Sequence, residues 1–152
     1  ALFTGVRIEE LCALQWGKFS LKEQTIRIDA TLQRLRDTSA VGSARTRIVI
    51  STPKSDTSVR TIPVTDYTAE LCGKMAPHSS AAYVLTGTDS FMEPRALQYR
   101  MEKYTRKCGL EGVHFHTLRH TFATRAVEVG FEIKSLSEVL GHSPACGQAA
   151  SG

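Results

Sequence analysis

His114-Phe115-His116-Thr117-Leu118-Arg119-His120-Thr121-Phe122-Ala123-Thr124 is the stretch on which the reading of this chain turns. It holds three imidazoles and a guanidinium beside an apolar run, with neither proline nor glycine to interrupt them. The pattern continues through Arg125-Ala126-Val127-Glu128-Val129 and predicts an amphipathic helix. On such a helix His116, Arg119 and His120 stand three and four residues apart, so their side chains share a face. That face suits a dense anion, because arginine offers a planar fork of donors matched to phosphate oxygens. The same spacing also describes an ordinary solvated helix with Leu118 and Phe122 in the core, and the rest of the chain has to decide between the two.

Downstream, Gly130 marks a break and Phe131 to Leu140 predicts a further helix stopped by Gly141. His142 follows directly, with Pro144 just beyond, and residues 145–152 are small and predict no element. Upstream, Glu93-Pro94 opens a helix through about Lys107, with proline in its first turn and Gly109 at its end. Thr65 or Asp66 caps another that runs to about Met75 and is stopped by Pro77. Tyr83-Val84-Leu85 reads as a small strand or a core segment. Three alternating runs, Thr25–Leu32, Arg45–Ile50 and Val59–Val64, predict a three-stranded antiparallel sheet. Pro53 and the turn-like Lys54-Ser55-Asp56-Thr57-Ser58 place Lys54 near the tip of its second hairpin. The first helix is expected over Val6 to Gln15, with Ile8, Leu11 and Leu14 on its apolar side. Arg7 and Glu10 lie three apart there. They make either a surface ion pair of little worth or an arginine at a helix start, steadied by Glu10 and aimed into a site.

Length and composition bound the alternatives. A chain of 152 residues with 41% apolar content is one domain able to bury a core, and that content argues against disorder. The net charge of +4 is mild, but it is concentrated: Lys18 to Arg60 carries nine basic against four acidic residues. Such a local excess can be the footprint of a nucleic-acid surface. Cys12, Cys72, Cys108 and Cys146 are scattered, without metal-ligand spacing, and read as reduced thiols of a cytoplasmic protein. No signal peptide and no membrane-length apolar run is present. The start without methionine, inside what reads as a helix start, suggests an excised fragment.

Metal binding is the first chemistry that three histidines suggest. His116 and His120 have the i, i+4 spacing, but the glutamate of HExxH is missing and Arg119 between them would repel a cation. No P-loop, dinucleotide fingerprint or Gly-x-Ser-x-Gly motif occurs. Phosphoryl transfer accounts for more of the groups. Its transition state spreads charge over nonbridging oxygens and needs paired arginines, and the leaving oxygen needs an acid. Arg7, Lys54, His116, Arg119 and His142 stand at helix starts, a hairpin tip and a helix end, where convergence is possible but not demonstrated by sequence.

Four ordered motifs resemble the catalytic domain of the tyrosine recombinase, or phage integrase, family: Thr4-Gly5-Val6-Arg7-Ile8-Glu9-Glu10-Leu11-Cys12-Ala13-Leu14-Gln15-Trp16, Thr52-Pro53-Lys54 with Arg60-Thr61-Ile62-Pro63, His116-Thr117-Leu118-Arg119-His120-Thr121-Phe122-Ala123-Thr124, and Leu140-Gly141-His142-Ser143. The resemblance covers nearly the whole chain, and the hairpin looks most like integrases of Gram-positive prophages and conjugative transposons. It implies an α+β, mainly helical DNA breaking-rejoining core with a small three-stranded antiparallel sheet, acting on duplex DNA as a tetramer without metal or nucleotide cofactor. It further implies that Arg7 and Arg119 clamp the scissile phosphate and that Lys54 protonates the leaving 5′ oxygen. His116 would assist phosphate and proton transfer, and His142 would bond the transferring phosphoryl group. Glu10 would steady the first arginine, and His120 would play a supporting role.

One departure is large. The family's nucleophilic tyrosine would fall near Ser151 or Gly152, yet no tyrosine follows Tyr104. Tyr67, Tyr83, Tyr99 and Tyr104 have no counterpart role in the family, and Ser151 earns little credence as a substitute. Residues 1–144 are therefore expected to form a partial catalytic domain and 145–152 an atypical tail. The fragment is expected to be inactive alone and monomeric, lacking the nucleophile while its parent is a site-specific recombinase. The alternative is a non-catalytic DNA-binding or regulatory integrase remnant, and the blandest reading is a helical interaction domain.

Overall fold

Alternation along Thr25–Ile28 (β2) turns Ile26 and Ile28 inward and Arg27 outward, and that period of two sets the sheet. The computed structural model describes residues 1–36, 46–52, 59–76 and 79–141. Phe19–Ser20 (β1) and Arg60–Pro63 (β5) flank β2 in an antiparallel sheet ordered β1-β2-β5. Ile26 lies opposite Ile62, and Ile28 opposite Arg60. Pro63, without an N–H, sits on the outer strand where a missing donor breaks no central ladder. A second antiparallel pair joins Thr31–Arg36 (β3) to Thr46–Ser51 (β4).

The three-stranded antiparallel sheet is present, but its membership differs from the sequence expectation. The run expected over Thr25–Leu32 parts at Asp29 and Ala30, so that β2 pairs with β5 while β3 pairs with β4. The Asp29 carboxylate accepts from Lys18 Nζ at 2.7 Å and Arg27 Nε at 3.1 Å, a local tie at the point where the partner strand changes. The third strand of the sheet is Phe19–Ser20, where no strand was expected. Among the described residues β4 and β5 do not pair with each other. Lys54 itself lies outside the described residues.

Two clusters form the core. Val6, Leu14, Ile26, Ile28, Ile62 and Val64 pack together between the first helix and the sheet, with Val139 against them. Cys12, Ala13 and Leu32 join that helix to β3, with Leu85 and Leu97 adjoining. Each fully buried aliphatic side chain here contributes about 1.5–3 kcal/mol relative to exposure.

The helices follow their signals with shorter ends. Ile8–Ala13 (α1) is shorter than expected, and its first turn is closed by Glu10 Oε2, which accepts from the Arg7 N–H at 2.8 Å. In Asp66–Met75 (α2), Thr65 Oγ1 accepts from the Thr68 N–H, which confirms threonine as the cap. Pro94–Lys107 (α3) begins on its proline. Phe115–Glu128 (α4) is the histidine-rich helix, and Ile133–Leu140 (α5) buries Leu136 and Leu140. No helix is long and apolar enough to cross a membrane among the described residues.

Candidate functional site

The C-terminus of α5 organises the site. A helix leaves its last carbonyls without intrahelical donors. The Gly141 N–H, in the left-handed conformation at φ 65°, turns back onto Ser137 and Glu138. That leaves the carbonyls of Val139, Leu140 and Gly141, and each receives a different arginine. Arg60 Nε donates to Val139 O at 2.6 Å, Arg119 Nη2 to Leu140 O at 2.7 Å, and Arg7 Nη2 to Gly141 O at 3.0 Å. Positive groups are favoured at this end of a helix by its dipole. Three guanidiniums from three separate elements are thereby drawn together.

Glu10 supplies the countercharge. Its Oε1 accepts from Arg7 Nη1 at 3.0 Å and Arg60 Nη1 at 2.9 Å. Its Oε2 accepts from the Arg7 N–H at 2.8 Å and Arg60 Nη2 at 2.9 Å. Burial alone would raise the Glu10 carboxyl, but the Arg60 hydrogen bonds, the Arg7 N–H and both guanidinium charges outweigh it and hold it below the ordinary value. The ion pair of Arg7 and Glu10 is therefore no surface pair, because Glu10 is 1% exposed.

Arg119 is buried at 4% exposure, in the middle of the inward face of α4 with Phe115. Its Nη1 donates to the Gly5 carbonyl. Gly5 has a φ of +62°, and a side chain there would meet Leu140 Cδ2 at 2.6 Å and Phe122 Cδ1 at 2.7 Å, so only glycine lets the chain approach so closely. Burial and the neighbouring charges of Arg7 and Arg60, offset in part by Glu10, lower Arg119 to about 10. It remains a cation at neutral pH.

The single face expected for His116, Arg119 and His120 divides. Arg119 turns inward, while His116 and His120 stay exposed with their rings edge to face at 4.4 Å. His116 nevertheless meets the arginines, because a cleft of about 430 Å³ is lined by Arg7, Glu9, Gln98, His114, His116 and Arg119. His120 touches His116 and lies outside the cleft lining. Lys54 and His142 fall outside the described residues, although Gly141, which is described, brings the chain to the arginine cluster one residue before His142. None of the four tyrosines lines the cleft. Among the described residues no group of three His, Cys, Asp or Glu is placed to hold a metal ion.

Arg60 had no assigned role in the sequence, yet it makes the bidentate pair with Glu10 and its side chain is only 7% exposed. Its signal was the alternation itself: Arg60 shares the inward face of its strand with Ile62, and a charge on an inward position calls for a partner. Gln98 was also missed. Its Oε1 accepts from the Phe115 N–H at 3.2 Å and its Nε2 approaches His114 Nδ1 at 3.3 Å, which fixes the start of α4 at the cleft wall. Nothing in a polar residue on a helix marks that contact in advance.

Guanidiniums grouped in this way suit an anion. Among the described residues, Arg7 and Arg60 share the carboxylate of Glu10, Arg119 stands beside them, and Glu9 lies on the rim of the cleft.

Comparisons with known proteins agree with that architecture. A tyrosine recombinase of Pseudothermotoga lettingae is 32% identical over 93% of this chain and 42% of its own length. A XerC-like tyrosine recombinase of Caldanaerobacter subterraneus is 25% identical over 94% of this chain and 41% of its own length. The solved Tn1549 transposon integrase in complex with transposon right end DNA superposes with a TM-score of 0.66 at 26% identity, covering 93% of this chain and 48% of that one. The XerA recombinase shares the fold with a TM-score of 0.69 at 22% identity, over 93% of this chain and 45% of that one. This chain thus spans less than half the length of these relatives. The family model described as the phage integrase family matches residues 1–145, and with the fold and the arginine cluster already in place the chain belongs to that family.

Proposed function

We propose that this chain grips the phosphodiester backbone of duplex DNA at the point where a site-specific recombinase cuts and rejoins it. The observation that carries the reading is the cleft shared by Arg7, His116 and Arg119. The two arginines would take the nonbridging oxygens, and His116 beside them would steady developing charge and pass a proton. Lys54 would protonate the leaving 5′ oxygen and His142, just beyond the arginine-held Gly141, would bond the phosphoryl group. In the full reaction a phenol oxygen displaces the 5′ oxygen at phosphorus, the displaced oxygen takes a proton, and a second displacement reverses the link. No tyrosine follows Tyr104 in the 152 residues, so they carry the phosphate grip without a phenol at the family's usual position. The Tn1549 integrase structure holds DNA, which supports a duplex as the partner.

Binding of a short duplex, followed by fluorescence anisotropy across a salt series, tests the grip. Each phosphate contact adds about 0.9 to the slope of log affinity against log salt. Arg7→Met, at a half-buried position, should lower that slope by about one contact and leave the fold intact. An unchanged slope, or no salt-dependent binding by the unaltered chain, overturns the reading. The second reading is a DNA-binding remnant without catalysis. A suicide duplex presented to the product of the whole gene separates the two: trapped 3′-phosphotyrosyl DNA sustains the recombinase, and its absence leaves the remnant.

A further inference from the structure

We infer that Arg60 is a positioning residue of the phosphate grip, which it keeps open by saturating Glu10 so that Arg7 remains available to an anion; this rests on the phosphate-grip reading above. A carboxylate oxygen has two lone pairs, so Glu10 can accept about four well-directed hydrogen bonds. All four positions are taken, two by Arg60 and two by residue 7, one of which is the main-chain N–H. Arg7 therefore reaches the carboxylate through Nη1 alone, and Nη2 is turned to the Gly141 carbonyl. Of the five N–H donors of its guanidinium, two are used in these bonds, and the side chain keeps 34% of its surface exposed at the cleft.

Removing the Arg60 fork changes what is favourable for Glu10. A buried carboxylate facing one guanidinium closes on it in the bidentate fork, the strongest geometry open to that pair. Arg7 would then face Glu10 with two donors and lose the orientation that presents the others to the cleft. Arg60 prevents this because it is anchored at both sides: its Nε is held by Val139 O, and Gly141 lies against its Nη1 where a Cβ would stand at 2.7 Å. The same anchoring joins β5, which follows the Lys54 segment, to the turn that precedes His142. One side chain thus ties the ends of two segments to the arginine pair.

Arg60→Lys is the test, with a 20-base-pair duplex as probe. Lysine keeps the charge but has no planar fork, so one Glu10 oxygen is released. The salt slope should fall by about 0.9 and affinity at moderate salt by roughly tenfold. Adding Glu10→Gln to Arg60→Lys removes the carboxylate that captures Arg7, and should return the slope to that of the unaltered chain. A residue that only held β5 to α5 would show no such rescue, because the loss at Val139 O persists in the double variant. A wild-type slope in folded Arg60→Lys, or an unrescued slope in the folded double variant, overturns the inference and leaves the phosphate grip standing. Loss of salt-dependent binding in the unaltered chain overturns the grip itself. If Arg60→Lys does not fold, Arg60→Gln is read in the same way, and failure of both to fold assigns Arg60 to structure alone and also overturns the inference.

Discussion

Glu10→Gln exchanges one carboxylate oxygen for an amide nitrogen and removes the only negative charge in direct contact with Arg7 and Arg60 among the described residues. The replacement is nearly isosteric, so its effect comes from charge and hydrogen bonding rather than volume. With the amide oxygen at the Oε1 position, the bonds from Arg7 Nη1 and Arg60 Nη1 survive. The amide nitrogen then faces two donors, the Arg7 N–H and Arg60 Nη2. A lost hydrogen bond to a charged group costs about 1.5–3 kcal/mol, and a buried N–H left without an acceptor costs about 1–3 kcal/mol. The sum agrees with the roughly 3–5 kcal/mol typical of breaking a buried ion pair from one side. For a domain of this size each kcal/mol moves the melting temperature by about 2–4 °C, so a fall of roughly 6–20 °C is expected. Thermal unfolding followed by circular dichroism measures it, with Glu70→Gln as the control. Glu70 pairs with Lys74 at 2.6 Å, but both side chains are about two-thirds exposed, so that change should stay within about 0.5 kcal/mol. If Glu10→Gln melts within a degree or two of the unaltered protein, the buried ionic hub is not a source of stability and the reasoning fails.

The acid limb of stability should carry the same signature. Glu10 has a folded value below its ordinary 4.5, so its contribution is complete above that pH and is lost as pH falls through the folded value. Urea midpoints measured downward from pH 5 should drop more steeply for the unaltered chain than for Glu10→Gln. Gly141→Ala should cost about 1–3 kcal/mol from the left-handed backbone alone, plus the displacement of Arg60, whose Nη1 would lie 2.7 Å from the new Cβ. Gly87→Ala, at φ +69° with open space around it, isolates the backbone share, and equal losses in urea unfolding would show that the Arg60 contact does not matter. Burial and the charge of Glu9 push the Cys12 thiol up to about 12, while Cys108 is exposed. Maleimide labelling of the native chain at pH 8, read by peptide mapping, should therefore mark Cys108 and spare Cys12.

Much of the fold was legible because its signals are local. Proline at the start of α3, threonine before α2, and the glycine after α5 each act within one turn of the chain, and each marks a helix end that the structure shows. The sheet was legible as strands but not as pairings. The period of two in Thr25–Ile28 and Thr31–Arg36 says nothing about a change of partner at Asp29 and Ala30, because register depends on partner strands elsewhere in the chain, Arg60–Pro63 for the first and Thr46–Ser51 for the second. The site divides in the same manner. The spacing of Arg7 and Glu10 and of His116 and Arg119 could be read from helical geometry. That Arg119 turns inward with Phe115 while His116 does not depends on how α4 is rotated against the rest of the fold, which spacing alone does not show.

The way the three arginines are held bears on what they can do. A carboxylate for each would fix them, but would also cancel their charge and leave nothing to attract an anion. Among the described residues one carboxylate serves two of them, and three further bonds come from the neutral carbonyls of Val139, Leu140 and Gly141, with Gly5 adding a fourth to Arg119. Carbonyl dipoles orient a guanidinium without neutralising it, and the end of a helix supplies several of them, all unpaired and all close together. The helix end meets its own need for donors while the arginines meet their need for alignment. Under the proposed function this makes a preorganised positive site whose cost of assembly is met before a phosphate arrives, which is the condition for electrostatic stabilisation of a phosphoryl-transfer transition state. It also gives the end of α5, which contributes no side chain to the cleft lining, a part in the site: a helix continued through residue 143 would bring that residue's N–H onto the Val139 carbonyl that holds Arg60.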